Sequence, residues 1–199
     1  DYVNSLVGNL DILFLQEHWL SSDAFNKFDR FRSEFTFAGK SAMDDKYKEG
    51  LLIGRPFGGV GVLWRNSFGN NIKFIGADNE GRVVAIAFRN AGVLTLCFGV
   101  YMPFDDHTRD YLPKLDAVLA YIISVCDKYV GSKVMILGDF NFECTTLCKG
   151  YKSFENFARR YDLANCDELD INTVGYTYYH ESLNQRSLID HVFISRVLK

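Results

Sequence analysis

Short apolar runs separated by polar turns recur along most of the chain, and runs of this length are typical of buried β-strands. They lie at residues 10–15, 60–64, 72–75, 82–88, 93–101, 133–137 and 188–195. The four runs between residues 60 and 101 follow one another through short turns. This arrangement predicts an antiparallel meander of four strands.

Helical spacing of apolar residues appears between these runs. Residues 110–129 predict an amphipathic helix with one packed face. Shorter helices are predicted at residues 22–28, with Ser22 as the cap, and at residues 154–161, while the polar residues 41–49 predict an exposed loop. Strands mixed with helices, without strict alternation, predict an α/β (α+β) domain in which two mixed sheets pack as a sandwich with flanking helices.

Length and composition fit one soluble domain. A chain of 199 residues with 48% hydrophobic residues can bury a core. No apolar run approaches the roughly 18 to 20 residues of a membrane span, so we expect no membrane partner. Five cysteines without paired spacing favour reduced thiols in an intracellular compartment. Cys144 and Cys148 lack the second pair, or the nearby histidine, that a zinc site requires.

The net charge of −3 argues against binding of nucleic acid through bulk electrostatics. A nuclease site that holds a divalent metal is itself rich in carboxylates, however, and phosphate contacts need only a local basic rim. The sequence offers part of such a DNA-binding rim at Lys149, Lys152, Arg159 and Arg160. The alternative interpretation, a solvated helix face, is the commoner one for such a run.

Polar side chains stand at or near one end of three predicted strands. Glu17 follows the first run, Asp139 and Asn141 follow residues 133–137, and Asp190 lies within the last run. Each of them alone fits a turn or a helix cap. Carboxylates that converge at strand ends would together make a metal site or an acid/base site.

The segment Gly-Asp-Phe-Asn at residues 138–141 is the most specific of these. Glycine permits a tight exit from the strand, and alternation would send Asp139 and Asn141 to the same side. The carboxylate could take a proton from water while the amide orients the water or a phosphate.

Other residues near these segments are less specific. His18 follows Glu17, but neighbouring strand residues point to opposite faces, so we expect His18 to pack. His191 is interpreted as a surface group or as a support for a site residue. Three tyrosines could stack on an extruded base or fill a groove, although alternation predicts that at least one packs in the core. They are Tyr176, Tyr178 and Tyr179.

Several short segments, in the same order along the chain, resemble the motifs of the endonuclease/exonuclease/phosphatase superfamily. They are Leu-Gln-Glu at 15–17, Val-Tyr-Met-Pro at 100–103, Gly-Asp-Phe-Asn at 138–141 and Ser-Leu-Ile-Asp-His at 187–191. Motifs in order, each in a strand context, are more specific than any one alone. Gln-Glu-His-Trp-Leu at 16–20 and Gly-Arg-Pro-Phe-Gly-Gly at 54–59 are similar to the endonuclease domain of non-LTR retrotransposons.

The resemblance implies a DNase I-like fold and roles for individual residues. Glu17 would bind Mg²⁺ or Mn²⁺, and Asp139 would activate or orient the attacking water. Asn141 and Tyr101 would contact the scissile phosphate, and Asp190 would orient a histidine later in the chain. The metal would neutralise charge that develops on the phosphoryl oxygens and the leaving group.

The resemblance also implies a biological setting. DNA would be the substrate, nicked in the nucleus, and a downstream reverse transcriptase domain would use the nick. The alternatives are an abasic-site nuclease, an inositol or lipid phosphatase, or an inactive relic. They stay open because the fold and the metal site alone do not determine the substrate. Relatives usually begin with a strand that carries an asparagine and end with a Ser-Asp-His segment. We therefore expect residues 1–199 to be a single domain truncated at both ends, which alone nicks DNA poorly or not at all.

Overall fold

The computed structural model describes residue 6 and residues 8–45, 49–50, 55–144, 148–169 and 174–198. The longer helices are α1 (Tyr111–Lys128) and α2 (Lys149–Arg160). The strands are β1 (Ile12–Gln16), β2 (Phe35–Lys40), β3 (Val60–Arg65), β4 (Ile72–Ala77), β5 (Val83–Asn90), β6 (Val93–Tyr101), β7 (Lys133–Asp139), β8 (Leu163–Asn165), β9 (Tyr178–His180), β10 (Gln185–Ser187) and β11 (Asp190–Ser195). Short 3-10 helices lie at Ser22–Phe31, Asn66–Asn71, Cys166–Glu168, Glu181–Leu183 and Arg196–Leu198.

The larger sheet has six strands in the order β4-β5-β6-β7-β11-β8. Only β6 and β7 pair in parallel within it, and α1 provides the crossover that a parallel pair requires. Both longer helices cover one face of this sheet. Their buried side chains, among them Leu115 and Phe154, pack against Leu96, Phe98 and other alternate residues of the strands.

The smaller sheet, in the order β1-β3-β2, is antiparallel and packs on the opposite face of the larger one. Alternation along β3 explains how it does so. Val60 and Val62 contact Val84 and Ile86 of the larger sheet. Leu63 points the other way and packs beneath the 3-10 helix Ser22–Phe31. The domain therefore has helices, a six-stranded sheet, a three-stranded sheet and a 3-10 helix in successive layers.

This architecture confirms the predicted sandwich with flanking helices, but the four-strand meander is wrong. β3 pairs with β1 and β2, so only β4, β5 and β6 form a meander. The 3-10 helix Asn66–Asn71 carries the chain from one sheet to the other, and local turn signals cannot reveal that change. The smaller sheet is also antiparallel rather than mixed.

Several boundaries differ from the expectations. α2 begins at Lys149 rather than at residue 154. Ser22 is the first residue of its helix, and Ser21 occupies the cap position without a side-chain bond. The Ser22 amide and hydroxyl both donate to the Asp44 carboxylate. The predicted exposed loop at 41–49 contains two buried residues, Ser41 and Met43. Residues 46–48 of that loop, and most of residues 1–8, lie outside the described residues.

Candidate active site

One edge of the sandwich brings strand ends together. β6 and β7 are parallel, so both end at this edge, and the antiparallel β11 begins there. Tyr101 is the register partner of Asp139, and Asp139 is also the partner of Asp190. These three residues therefore stand side by side on adjacent strands.

Glu17 reaches the same edge from the smaller sheet. β1 ends at Gln16, and Glu17 adopts a left-handed backbone with φ of 51°. The Tyr101 hydroxyl donates to Glu17 Oε1 across 2.8 Å, which links the two sheets. Burial, together with the neighbouring Glu17 carboxylate, raises the pKa of Tyr101, so the phenol remains a protonated donor.

A left-handed turn follows β7 and joins Asp139 to Asn141. The Asn141 amide N–H donates to Asp139 Oδ1 at 2.8 Å, and the Asn141 side-chain Nδ2 donates to the Met102 carbonyl at 2.9 Å. Asn141 has φ of 53°. The contact with Asp139 is thus made by the backbone N–H of Asn141, while the Asn141 side chain binds the Met102 carbonyl. That the two side chains face one pocket remains a prediction.

Gly138 allows β7 to approach β6 closely beneath the site. A Cβ at this position would lie 2.2 Å from the Val100 carbonyl oxygen and 2.9 Å from Gln16 Nε2. Its φ of +136° is also one that other residues rarely adopt. Any side chain here would push β6 away from β7 and separate Tyr101 from Asp139.

The three carboxylates of the site repel one another. Burial raises the pKa of Asp139 to about 6, and the charges of Asp190 and Glu17 add to the increase, while the Asn141 N–H opposes it. Within the described part of the chain, no lysine or arginine forms an ion pair with these carboxylates. A cation near Glu17 and Asp139 would relieve this repulsion.

This donor set fits Mg²⁺ in an open site. Among the described residues, no three acidic, histidine or cysteine side chains are already gathered closely enough to enclose a metal. Mg²⁺ does not require such a cage, because it keeps several waters and binds through one or two carboxylates and the phosphates of a substrate. Glu17 is exposed and is thus accessible for this purpose.

The family model of the Endonuclease/Exonuclease/phosphatase family matches residues 1–198. The chain belongs to this family. No curated protein sequence matches it significantly. Among the described residues, no helix combines the length and apolarity needed to cross a bilayer.

Solved structures confirm the DNase I-like fold of this family member. The AP endonuclease LMAP from Leishmania major is 15% identical with a TM-score of 0.70, and the match covers 98% of this chain and 72% of that one. The Neisseria 3′ phosphatase NExo, bound to a product DNA hairpin, is 18% identical with a TM-score of 0.69 and coverages of 98% and 81%. The endonuclease domain of TRAS1, a telomere-specific non-LTR retrotransposon, is 11% identical with a TM-score of 0.63 and coverages of 98% and 78%.

The structure adds two site neighbours that the sequence did not reveal. Arg82 Nη1 donates to the Tyr101 carbonyl at 3.3 Å, and its guanidinium lies 5.4 Å from the Tyr101 ring centroid. Thr177 Oγ1 accepts the amide N–H groups of Ile189 and Asp190. The sequence signal for Arg82 was its position directly before the strand β5, in a turn whose backbone N–H groups bind Asp78.

The four basic residues of the predicted rim lie on α2 but do not form one cluster. α2 starts after the turn that follows β7 and runs back for 12 residues, about 18 Å. Lys149 and Lys152 are exposed in its first half. Arg159 pairs with Glu155, and Arg160 lies near Asp127 at the end of α1, away from the site.

All three tyrosines near β9 are exposed, with 42%, 47% and 43% of Tyr176, Tyr178 and Tyr179 accessible. The prediction that one of them packs in the core is wrong, because in the described part of the chain β9 and β10 pair only with each other and no second layer covers these rings. The Arg186 guanidinium lies 4.6 Å from the Tyr176 ring centroid and 5.8 Å from that of Tyr179.

His18 packs, as expected, although a loop rather than a strand places it. Its ring meets Phe25 edge to face at 5.4 Å, and Nε2 lies 3.2 Å from the Lys40 carbonyl oxygen. Gly59, with φ of +88°, leaves the space for this ring, because a Cβ there would lie 2.4 Å from it.

Proposed function

We propose that this chain is a metal-dependent, DNA-nicking endonuclease domain of the non-LTR retrotransposon type. The observation that carries the proposal is the row Tyr101, Asp139 and Asp190 on adjacent strands, joined to Glu17 by a hydrogen bond. The motif contexts at 16–20 and 54–59, together with the likeness to the TRAS1 domain, support the retrotransposon branch.

Each site residue has a proposed role in phosphodiester hydrolysis. Asp139, with a pKa of about 6, is largely ionised at neutral pH and accepts a proton from the attacking water. Once Glu17 binds the metal, the Tyr101 hydroxyl can turn its proton from Glu17 to the scissile phosphate, and Asn141 Nδ2 can donate its second proton there. Asp190 would orient a histidine later in the full-length protein, distinct from His191, as the family resemblance implies. Glu17 would hold Mg²⁺ or Mn²⁺, which supplies neutralisation of charge on the phosphoryl oxygens.

Three local features favour DNA as the substrate despite the net charge of −3. The exposed rings of Tyr176 and Tyr179, with Arg186 over them, form a surface on which bases can stack. Thr177 connects the base of this β9–β10 hairpin to the backbone of Asp190. Lys149 and Lys152 are exposed to meet phosphates. We infer that the nick is made in the nucleus and primes a reverse transcriptase domain of the full-length protein.

A plasmid assay tests this function. The purified chain is incubated with supercoiled plasmid and Mg²⁺ at several pH values. We expect slow conversion to open circles, no conversion in EDTA, and none with Asp139→Ala or Glu17→Ala. The rate should rise as pH increases through about 6 and then level off, because Asp139 must be ionised to accept a proton.

The same preparation separates the alternatives. A strong preference for a duplex with one abasic site would identify an abasic-site nuclease, and release of phosphate from a phosphoinositide would identify a phosphatase. A folded chain that binds DNA and Mn²⁺ yet cleaves none of these substrates would be an inactive relic. Any of these results would overturn the proposal of a retrotransposon-type DNA-nicking endonuclease.

A further inference from the structure

A buried histidine lies beneath the site, on the face of β11 opposite to Asp190. Only 2% of His191 is exposed. Its Nδ1 bonds to the carboxylate of Asp167, and its Nε2 lies 2.9 Å from the carbonyl oxygen of Phe142. Neither hydrogen bond of the ring goes to Glu17, Tyr101, Asp139 or Asn141, although His191 electrostatically lowers the pKa of Asp139. We therefore look for its role in what it holds.

Both partners of the ring are hydrogen-bond acceptors. The imidazole therefore makes both bonds as a donor only when each nitrogen carries a proton. The Asp167 carboxylate is one of these two acceptors and orients the ring. The rings of Phe140 and Phe193, with centroids 5.3 Å and 6.3 Å away, restrict rotation of the imidazole.

The carbonyl that His191 holds belongs to the turn of the site. Phe142 directly follows Asn141, and on the other side of Asn141 the Phe140 amide donates to the Ile189 carbonyl at 2.7 Å. The turn is thus attached to the β11 segment on both sides of Asn141. Attachment matters here because Asn141 has a left-handed backbone, which is costly unless its surroundings fix it.

We propose that His191, oriented by Asp167, is a positioning residue that holds the turn at 139–142 so that Asp139 and Asn141 face Tyr101 and Asp190. The structural part of this proposal stands alone, and its effect on catalysis rests on the proposed function. His191 touches no reacting atom in this scheme. It acts through the Phe142 carbonyl.

Two substitutions and one control isolate the clamp formed by Asp167, His191 and the Phe142 carbonyl. His191→Phe fills the space between the aromatic rings but can bind neither acceptor. Asp167→Asn keeps the size of the side chain and removes the charge that orients the ring. Ser195→Ala is the matched control, because buried Ser195, at the other end of β11, accepts the Val134 amide at 2.9 Å. It too removes a buried hydrogen bond from β11, but far from the turn.

Amide hydrogen exchange tests the clamp without any need for activity. In His191→Phe and Asp167→Asn, we expect the Phe140 and Asn141 amides to exchange about tenfold faster, as the loss of one buried hydrogen bond predicts. The Val134 amide should be unchanged. Ser195→Ala should give the reverse pattern. Equal acceleration at all three amides, or wild-type exchange at Asn141 in folded His191→Phe, would overturn the clamp.

Nicking kinetics then test the catalytic consequence. Both variants should lower the saturating rate about tenfold without changing the DNA concentration that gives half the maximal rate, because the clamp positions Asp139 and does not bind DNA. The double variant should be no slower than the slower single one, since both substitutions break the same unit. Ser195→Ala should nick like the wild type. Two results would refute a positioning role for His191. They are additive losses of the saturating rate in the double variant, or a change only in the DNA concentration that gives half the maximal rate. If the wild type itself does not nick, the proposed function fails and the exchange pattern still decides the clamp.

Discussion

The turn after β7 sends alternate side chains into two different environments. Asp139 and Asn141 lie half-buried at the site edge, whereas Phe140 and Phe142 enter the core between the larger sheet and the helices. Phe140 is fully buried and meets the rings of Phe142 and Phe154. The apolar side of the turn supplies stability, and the polar side consumes part of it through repulsion between carboxylates.

The backbone at the site edge also costs stability, in contrast to the core. Glu17, Trp19 and Asn141 all have positive φ values, near 50° to 56°. Such conformations are uncommon for non-glycine residues and cost energy, so the layers beneath must fix them. We therefore expect substitutions in the core to lower the free energy of unfolding, and substitutions at the site to affect chemistry more than stability.

Phe140→Ala should have the largest effect on stability. Removing a fully buried ring should lower the free energy of unfolding by about 3–5 kcal/mol, measured by urea denaturation. Phe104→Ala is the control, because Phe104 is 68% exposed and follows the same site edge. A loss at Phe140 no larger than the one at Phe104 would contradict the division between a stabilising core and a destabilised edge.

Asp139→Asn should instead stabilise the metal-free chain while abolishing nicking. The pKa of Asp139 is about 6 in the fold against 3.8 for a free aspartate side chain, so ionisation disfavours the folded state. The shift corresponds to roughly 3 kcal/mol, which we reduce to about 1–2 kcal/mol because the carboxylate is partly exposed.

The stabilisation by Asp139→Asn should depend on pH, because the pKa of Asp139 is higher in the folded state than in the unfolded state. Because the folded pKa is raised, the folded state binds more protons between about pH 4 and 6, and the wild type loses stability as pH rises through that window. The advantage of Asp139→Asn should thus be absent near pH 3, grow up to pH 6 and stay constant above it in thermal unfolding scans. A variant that is less stable than the wild type at pH 8 would contradict this account.

The sequence predicted the site edge better than the connections between layers. Strand ends and motif order indicated Glu17, Tyr101, Asp139 and Asp190, and the register places the last three side by side. Periodicity could not assign β3 to the smaller sheet, because that choice depends on contacts between distant segments. The catalytic roles of these residues remain predictions.

The features that the sequence did not predict are mostly contacts between residues distant in sequence. His191 and Asp167 are separated by 24 positions, and neither strand period nor motif order links them. Alternation distinguishes the two faces of β9 but cannot tell whether a second layer covers one. For that reason Tyr178 and its neighbours were wrongly expected to supply a core residue.

Tyr101→Phe should have a smaller effect on stability than either Phe140→Ala or Asp139→Asn. It removes the donor to Glu17 and should lower the free energy of unfolding by about 0.5–1 kcal/mol. Nicking should fall about tenfold, because the phosphate loses a donor. Thr36→Val is the control, since it removes the hydrogen bond to Asn66 elsewhere in the smaller sheet. Equal nicking by Tyr101→Phe and Thr36→Val would exclude a role for the phenol.

The smallest effect should separate the two ends of α2. Lys149→Ala should weaken binding of a short DNA duplex about threefold and reduce the slope of log affinity against log salt by about 0.9, because one phosphate contact is lost. Arg160→Ala should change neither, since Arg160 lies near Asp127 and Tyr161 at the far end of the sheet. Fluorescence anisotropy across salt concentrations measures both. Equal losses of DNA affinity in the two variants would mean that DNA contacts the whole length of α2. DNA binding would then not be confined to the site edge.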